Sequence, residues 1–391
     1  MRIAVLGGMG IQGRAALVDL AASPPVESII CADADLSGFE SKTGFFNSGK
    51  LTPAQIDASS SAELEALLRD GVDVAIDLLP RQFTETVCLA ALASHVGVVN
   101  TNYAYSIAHL DPQAKSAGVT IMPECGLDPG IDLILYGHTI RQFDEIHVIN
   151  SYCGGFPEKA ACDNPLNYKV SWTWEGVLNS TRRDARAIKD GRVVTISGDK
   201  QHENEWIHSI HFPGLGRLEA IPNGDAVFFT DLLGVTETIS ETGRYSLRWP
   251  GWSAFWHPLK QLGFLSDEPV NGLPCDVSPY QFLDKLMGPQ LQYEEDEKDL
   301  VAMVNVFEGL SAGKQIRRTS RMLIERDLNT GLMAMNKGVG FPASIVAQMI
   351  AGGEITATGV LTPVKHVPGR TFLDRLAERG IVIEEEEKIL G

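Results

Sequence analysis

Apolar and polar positions follow a regular rhythm through the first third of the chain. RIAVLGG (2–8) is a continuous apolar run that predicts a buried strand, and GRAALVDLAA (13–22) behind it reads as a helix. VESIICADAD (26–35) predicts a second strand ending in acids. SSAELEALLRDG (60–71) predicts a helix with serine before its first glutamate, a capping pattern. VDVAIDLLP, VGVVNTNY and VTIMPECG continue the strands, separated by the helical TETVCLAALASHVG and AHLDPQAKSAG. Strands that are apolar throughout, alternating with helices, indicate a parallel sheet covered on both faces. Residues 1–125 are therefore expected to form an α/β domain, a doubly wound parallel sheet of the Rossmann type.

From about residue 140 the rhythm changes. EIHVINSYCGG, RVVTISG, HSIHF, RLEAIPN and RYSLRWPG predict shorter strands of mixed exposure, spaced by turn residues. That pattern suits a mainly antiparallel sheet in an α+β domain, expected over 126–336. PYQFLDKLMG and LNTGLMAMNKGVGFPASIVAQMIAGG read as helices. Residues 337–391 are expected to return to the first domain, and their closing acidic run reads as a solvated end.

Composition narrows the function. A formal net charge of −17 argues against a nucleic-acid binder, which needs Lys and Arg to neutralise phosphates. No apolar run reaches the roughly 18 residues of a membrane helix. The opening MRIAVLGGMGIQG lacks the features of a secretion signal, and the six cysteines form no CxxC pair and no zinc-spaced set. The expectation is a cytoplasmic protein with reduced thiols and no metal.

GMGIQG places Gly8, Gly10 and Gly13 between the first strand and the first helix. In that context the glycines give a tight turn, backbone approach to a pyrophosphate and close helix–strand packing. The helix N-terminus offers unpaired N–H groups to the phosphates. Asp33, 20 residues past Gly13, is placed to bind a ribose 2′-hydroxyl and to repel a 2′-phosphate, which favours NAD over NADP. Asp35 is the alternative if the strand end shifts, and Arg14 is a feature that would tolerate NADP. Ile11, Leu79 and Pro80 complete the expected cofactor contacts.

CGLDPGIDLIL (125–135), SYCGGFP (151–157), DNPLNYKVSW (163–172) and LRWPGW (247–252) together resemble the saccharopine dehydrogenase family, with its glutamate-forming branch nearest in pattern. KGVGFPASIVAQMIAGGEITATGV (337–360) resembles the segment by which such chains return to the nucleotide domain. The resemblance implies a homodimer acting on a small amino-acid-derived amine, through an imine, with hydride passing to NAD(P). It implies Asp128, Tyr103 and Cys153 as the residues of proton handling and substrate binding, with Asp128 also a candidate cap for a helix beginning at Pro129. Asn164, Lys169, Trp172 and Arg248 are the expected substrate contacts, Arg248 because a guanidinium pairs bidentately with carboxylate. Trp172 and Trp174 would share a side if extended.

One departure stands out. Gly224 occupies a position that carries arginine in saccharopine reductases, and Arg217 or Arg244 is a candidate replacement. Alternatives are a lysine-6-dehydrogenase-like enzyme releasing ammonia and a non-catalytic NAD-binding protein.

Overall fold

The computed structural model describes residues 1–46 and 49–390. It divides into two compact units, residues 1–139 with 336–382, and residues 140–335 with 383–391.

In the first unit, β1 (Arg2–Leu6), β2 (Ser28–Asp33), β3 (Leu51–Gln55), β4 (Val74–Asp77), β5 (Gly97–Asn100) and β6 (Thr120–Met122) pair in parallel. Their order is β3-β2-β1-β4-β5-β6, extended by the short strand Gly359–Val360. Ile3 to Leu6, Val98 and Val99 are fully buried, as strands covered on both faces require. The strand order reverses between β1 and β4, which is where open α/β sheets bind ligands. The sequence pattern does not announce β3, because LTPAQ is short, polar and carries a proline. An edge strand accepts all three features.

Helix α1 (Ile11–Ala22) follows β1. The helix Ala334–Ala351 packs on it closely enough that a Cβ on Gly340 would stand 2.7 Å from the Ala15 Cβ. Buried Asp19 of α1 accepts from Ser344 Oγ at 2.6 Å and pairs with Arg379, tying the returning segment to the first helix.

The second unit is built on a mixed, mostly antiparallel sheet. Its strands are β7 (Glu145–Pro157), β8 (Ala185–Lys189), β9 (Arg192–Ile196), β10 (His208–Phe212), β11 (Gly216–Pro222), β12 (Glu241–Arg248), β13 (Asp299–Ser311) and β14 (Lys314–Glu325). The main path runs β10-β11-β12-β7-β13-β14, and β12 with β7 is its parallel pair. Cross-strand partners share a face and alternate positions switch face. Tyr152, Tyr245 and Leu247 pack with Phe156, Trp249 and Trp256 in the unit's apolar core.

The C-terminal acidic run is exposed along its length, as expected, and it also forms a strand. Glu384–Ile389 is a strand paired antiparallel with β14, and residues 383–391 belong to the second unit. Arg318 meets Glu387 at 2.9 Å and Arg321 meets Glu386 at 2.8 Å. Opposite charges on the neighbouring strand offset the repulsion within this run of like charges.

Candidate functional site

The glycine loop is held by backbone geometry. Gly7, at φ +78°, follows β1, and a Cβ there would stand 2.9 Å from the Leu78 carbonyl, so the loops after β1 and β4 touch. Gly7 and Gly8 donate to Ala32 O, and Met9 N–H donates to Asp33 Oδ2 at 3.0 Å. Asp33 thus ends β2 and grips the loop itself. A Cβ on Gly13 would stand 2.2 Å from Gly7 O, which excludes any other residue while the loop keeps this path.

Gly10 caps α1 without a side-chain bond, and beyond Gly7 O its would-be Cβ meets nothing closer than 4 Å. No acidic side chain occupies the first turn of α1, so its N–H groups face an approach suited to a pyrophosphate. Ile11 is about half exposed. Leu79 N–H donates to Asp77 Oδ1 at 3.1 Å, and Pro80 starts the turn that follows β4. Beside β2, Ala34, Gln55, Ile56, Asp57 and Glu63 line a cleft of about 350 Å³, and Gln55 is the register partner of Asp33. Arg14 lays its guanidinium over the Phe45 ring at 5.1 Å. The residues fit a nicotinamide dinucleotide.

Tyr103 follows β5 and stacks on Tyr105 at 5.7 Å, with Arg81 over the outer ring. The segment after β6 runs beside it, because Glu124 N–H donates to Asn102 O, Cys125 N–H donates to Asn100 O, and Ala104 N–H donates to Glu124 Oε1. Asp128 lies on this segment, half-buried between buried neighbours. The expected cap geometry is not what forms. The Asp128–Pro129 bond is cis, the helix begins at Ile131, and Asp132 accepts from the Gly130 N–H at 2.8 Å. Asp132 takes the helix-start role because Gly130, with φ 153°, keeps Pro129 outside the helix.

The second unit carries a buried sheet face that is polar. Thr242, Arg244, Ser246 and Arg248 alternate along β12; Ser151 and Cys153 on β7 and Asn305 and Met303 on β13 are their cross-strand neighbours. Arg244, Ser151, Asn305 and Ser320 form one transverse row, all buried. None of Ser151, Ser246, Asn305 or Ser320 was singled out from sequence. On β12 the signal is legible as polar residues at alternate positions, Thr242, Arg244, Ser246 and Arg248, whereas Asn305 stands alone between Met303 and Phe307.

Arg248 is the most informative side chain on this face. Its guanidinium lies 5.2 Å from the Tyr168 ring centre and 5.0 Å from that of Trp252, and Nη1 donates to Leu247 O at 2.7 Å. Nε is buried without a hydrogen bond, and among the described residues no carboxylate pairs with the group. Burial pushes its pKa down, opposed by Tyr168, Cys153 and Tyr293 nearby. Burial and the charges of Lys260, Arg248 and His257 push His202 down to about 2, so it is neutral.

Other expected contacts serve the loop. Asn164 Oδ1 accepts from Leu166 N–H at 3.1 Å and Nδ2 donates to Tyr168 O at 2.9 Å. Buried Lys169 is shared between Asp163 at 2.9 Å and Glu297 at 2.6 Å. Trp172 and Trp174 do not share a side. Thr173 between them caps the helix Trp174–Ser180, leaving Trp172 exposed and Trp174 buried. Gly224 sits at φ +72°, a conformation that disfavours arginine. Arg217 is on an exposed hairpin, bonded to Ser209 Oγ, whereas Arg244 lies on the polar face over Phe229. Among the described residues no cluster of His, Cys, Asp and Glu could hold a metal.

Residues 3–122 match the saccharopine dehydrogenase NADP-binding domain, and residues 126–381 match the saccharopine dehydrogenase C-terminal domain. The chain is 29% identical to saccharopine dehydrogenase [NADP(+), L-glutamate-forming] of Pyricularia oryzae, over 87% of this chain and 89% of that one. It is also 29% identical to the mitochondrial alpha-aminoadipic semialdehyde synthase of Mus musculus, where it covers 42% of the longer protein. The fold matches the apo saccharopine dehydrogenase (L-Glu forming) of Saccharomyces cerevisiae with TM-score 0.87, 24% identity and 99% coverage of both chains. It also matches an NAD complex of homospermidine synthase from Legionella pneumophila, with TM-score 0.64, 12% identity, and coverage of 99% and 91%.

Proposed function

The chain belongs to the saccharopine dehydrogenase family, and we propose that it is an NAD(P)-dependent oxidoreductase acting on a C–N bond of an amino-acid-derived amine. The observation that carries the substrate side is Arg248, a buried guanidinium beside Cys153 with no carboxylate partner among the described residues. A buried charge without a counter-ion is costly, and a substrate carboxylate supplies the missing partner.

A nicotinamide dinucleotide held at the glycine loop would supply the acceptor for hydride from the carbon that bears the nitrogen. The chain's own residues do the rest. Gly8, Gly10, Gly13, Ile11, Leu79 and Pro80 hold the dinucleotide, and Asp33 accepts from the ribose hydroxyls. Asp128 and Tyr103 take the amine proton and orient the water that hydrolyses the imine. The imine carbon gains the water oxygen as a carbonyl, and the nitrogen leaves as an amine. Arg248 and Cys153 fix the substrate. Asn164 and Lys169 act through the loop they brace, and Trp172 from its edge. NAD is the preferred cofactor in this reading, although the fungal relative is named for NADP(+). Support comes from Asp33 in the loop and from Asp57 and Glu63 along the adjacent cleft, which repel a 2′-phosphate.

A substrate with more than one carboxylate is favoured over a single amino acid losing ammonia, because the similar fungal proteins are named as L-glutamate-forming saccharopine dehydrogenases. Cytoplasmic location and a homodimer complete the proposal. Cysteines present as thiols support the first, and the family resemblance supports the second.

The test is purified protein with NAD or NADP against saccharopine, lysine and carboxynorspermidine, followed by absorbance of the reduced cofactor. Turnover with saccharopine and NAD supports the reading. NAD binding with no turnover of any amine overturns it.

A further inference from the structure

Ser151 and Asn305 face each other across β7 and β13. Asn305 is wholly buried, and neither its Oδ1 nor its Nδ2 has a hydrogen-bond partner; Ser151 Oγ is buried and likewise unpartnered. Directly opposed residues bring their Cβ atoms to about 5 Å, so the amide and the hydroxyl address the same small volume. Leaving such groups unsatisfied costs as much as the hydrogen bonds they forgo. Both neighbours of Asn305 on its face of β13, Met303 and Phe307, are apolar, so the amide is not part of a polar strand.

The chemistry of the pair restricts what it can hold. The amide offers one acceptor and two donors, and the hydroxyl offers both functions. A bare carboxylate that takes both Nδ2 and the Ser151 hydroxyl leaves Asn305 Oδ1 unpaired, and a bare ammonium leaves Nδ2 unpaired. A group that carries donor and acceptor together, with no net charge to desolvate, satisfies both. An α-amino-carboxylate is such a group. Ser151 stands two residues before Cys153 on the same face, and Arg248 acts on Cys153 from the neighbouring strand.

We propose that Ser151 and Asn305 form the subsite for the α-amino-carboxylate end of the substrate. The ammonium donates to Asn305 Oδ1, and the carboxylate accepts from Asn305 Nδ2 and Ser151 Oγ. This assignment rests on the reading of Arg248 as the anchor of a second, separate carboxylate.

The experiment is calorimetric titration of the NAD-saturated protein with L-glutamate, which carries both groups, and with glutarate, which lacks the ammonium. The wild type binds L-glutamate about tenfold or more tightly than glutarate, the worth of a charge-assisted hydrogen bond. Asn305→Leu brings L-glutamate down to the level of glutarate. Ser151→Ala, which removes only a hydroxyl and keeps the fold if the larger change does not, weakens L-glutamate several-fold. Equal wild-type affinities, or L-glutamate affinity unchanged in Ser151→Ala or in a folded Asn305→Leu protein, overturn the subsite. Failure of the underlying reading is seen separately: Arg248→Met would then leave glutarate binding unchanged.

Discussion

The guanidinium of Arg248 lies 5.0 Å from the centre of the Trp252 ring, across a Pro-Gly turn whose other tryptophan, Trp249, donates to the Pro157 carbonyl at 2.8 Å. LRWPGW therefore does two things. One tryptophan pins the end of β7, and the other forms a platform for the arginine. The guanidinium lies against the Tyr168 and Trp252 rings, which meet edge to face at 5.1 Å, and its Nε keeps no hydrogen bond.

Arg248→Met separates activity from stability. The substitution removes an anchor worth about 1.5–3 kcal/mol, so kcat/KM falls by about 10- to 150-fold. It also removes an uncompensated buried charge, so Tm stays level or rises. Steady-state kinetics beside thermal melts check both; a large loss of Tm means that the arginine supports the fold.

Asp33→Ser weakens NAD and relaxes discrimination against NADP. The carboxylate that repels a 2′-phosphate is lost, and so is the acceptor for Met9 N–H. The ratio of kcat/KM for the two cofactors is the measurement, and an unchanged ratio removes Asp33 from cofactor choice.

Gly13→Ala abolishes tight cofactor binding. Its Cβ would stand 2.2 Å from Gly7 O, so the loop must move off the path that presents the helix N-terminus. Fluorescence titration with NADH is expected to show little binding while the second unit's folding is retained.

Asp77 gives a pH signature. Burial, opposed by the Leu79 N–H, raises its carboxyl to about 7. Because the folded value lies above the unfolded one, the native state holds the proton across the window between the usual carboxylate range and about 7. Its contribution to stability is therefore full at low pH and falls as pH rises through that window. Asp77→Asn keeps the acceptor for Leu79 N–H and cannot ionise. It is expected to melt higher than wild type at about pH 8, with the gap closing toward about pH 4.

The C-terminal strand tests ladder against charge. The ion pairs of Glu386 and Glu387 are half-exposed, so Glu386→Gln with Glu387→Gln costs about 1 kcal/mol or less, and the loss shrinks in salt. Deleting residues 384–390 removes the ladder and bares the edge of β14, and it is expected to lower Tm more and to promote aggregation. Equal effects of the two changes would mean that the charges hold the strand.

The nucleotide unit was legible because its strands are buried on both faces, so apolar runs mark them directly. The glycine spacing was legible because Gly13 touches Gly7 O, a constraint with one solution. The long hairpin of β13 and β14 is not announced by alternation, because VAMVNVF is apolar almost throughout and Thr319 and Ser320 are buried on opposite faces of β14. The tail reads as solvated and is exposed; its pairing with β14 is what local pattern does not announce.

By itself the sequence determined the α/β and α+β division, the cofactor loop and the family. These rest on local periodicity and on motifs whose partners lie within a few residues. Tertiary structure alone decided which of the polar residues find a protein partner. Lys169 and Arg248 are both basic residues in family motifs. Lys169 finds Glu297, 128 positions away, while Arg248 finds two aromatic faces and no acid among the described residues. Ser151 and Asn305 acquire a joint role only because β7 and β13 align them in register. Whether a buried polar group is satisfied depends on neighbours brought by the fold, and chain order does not encode those neighbours locally.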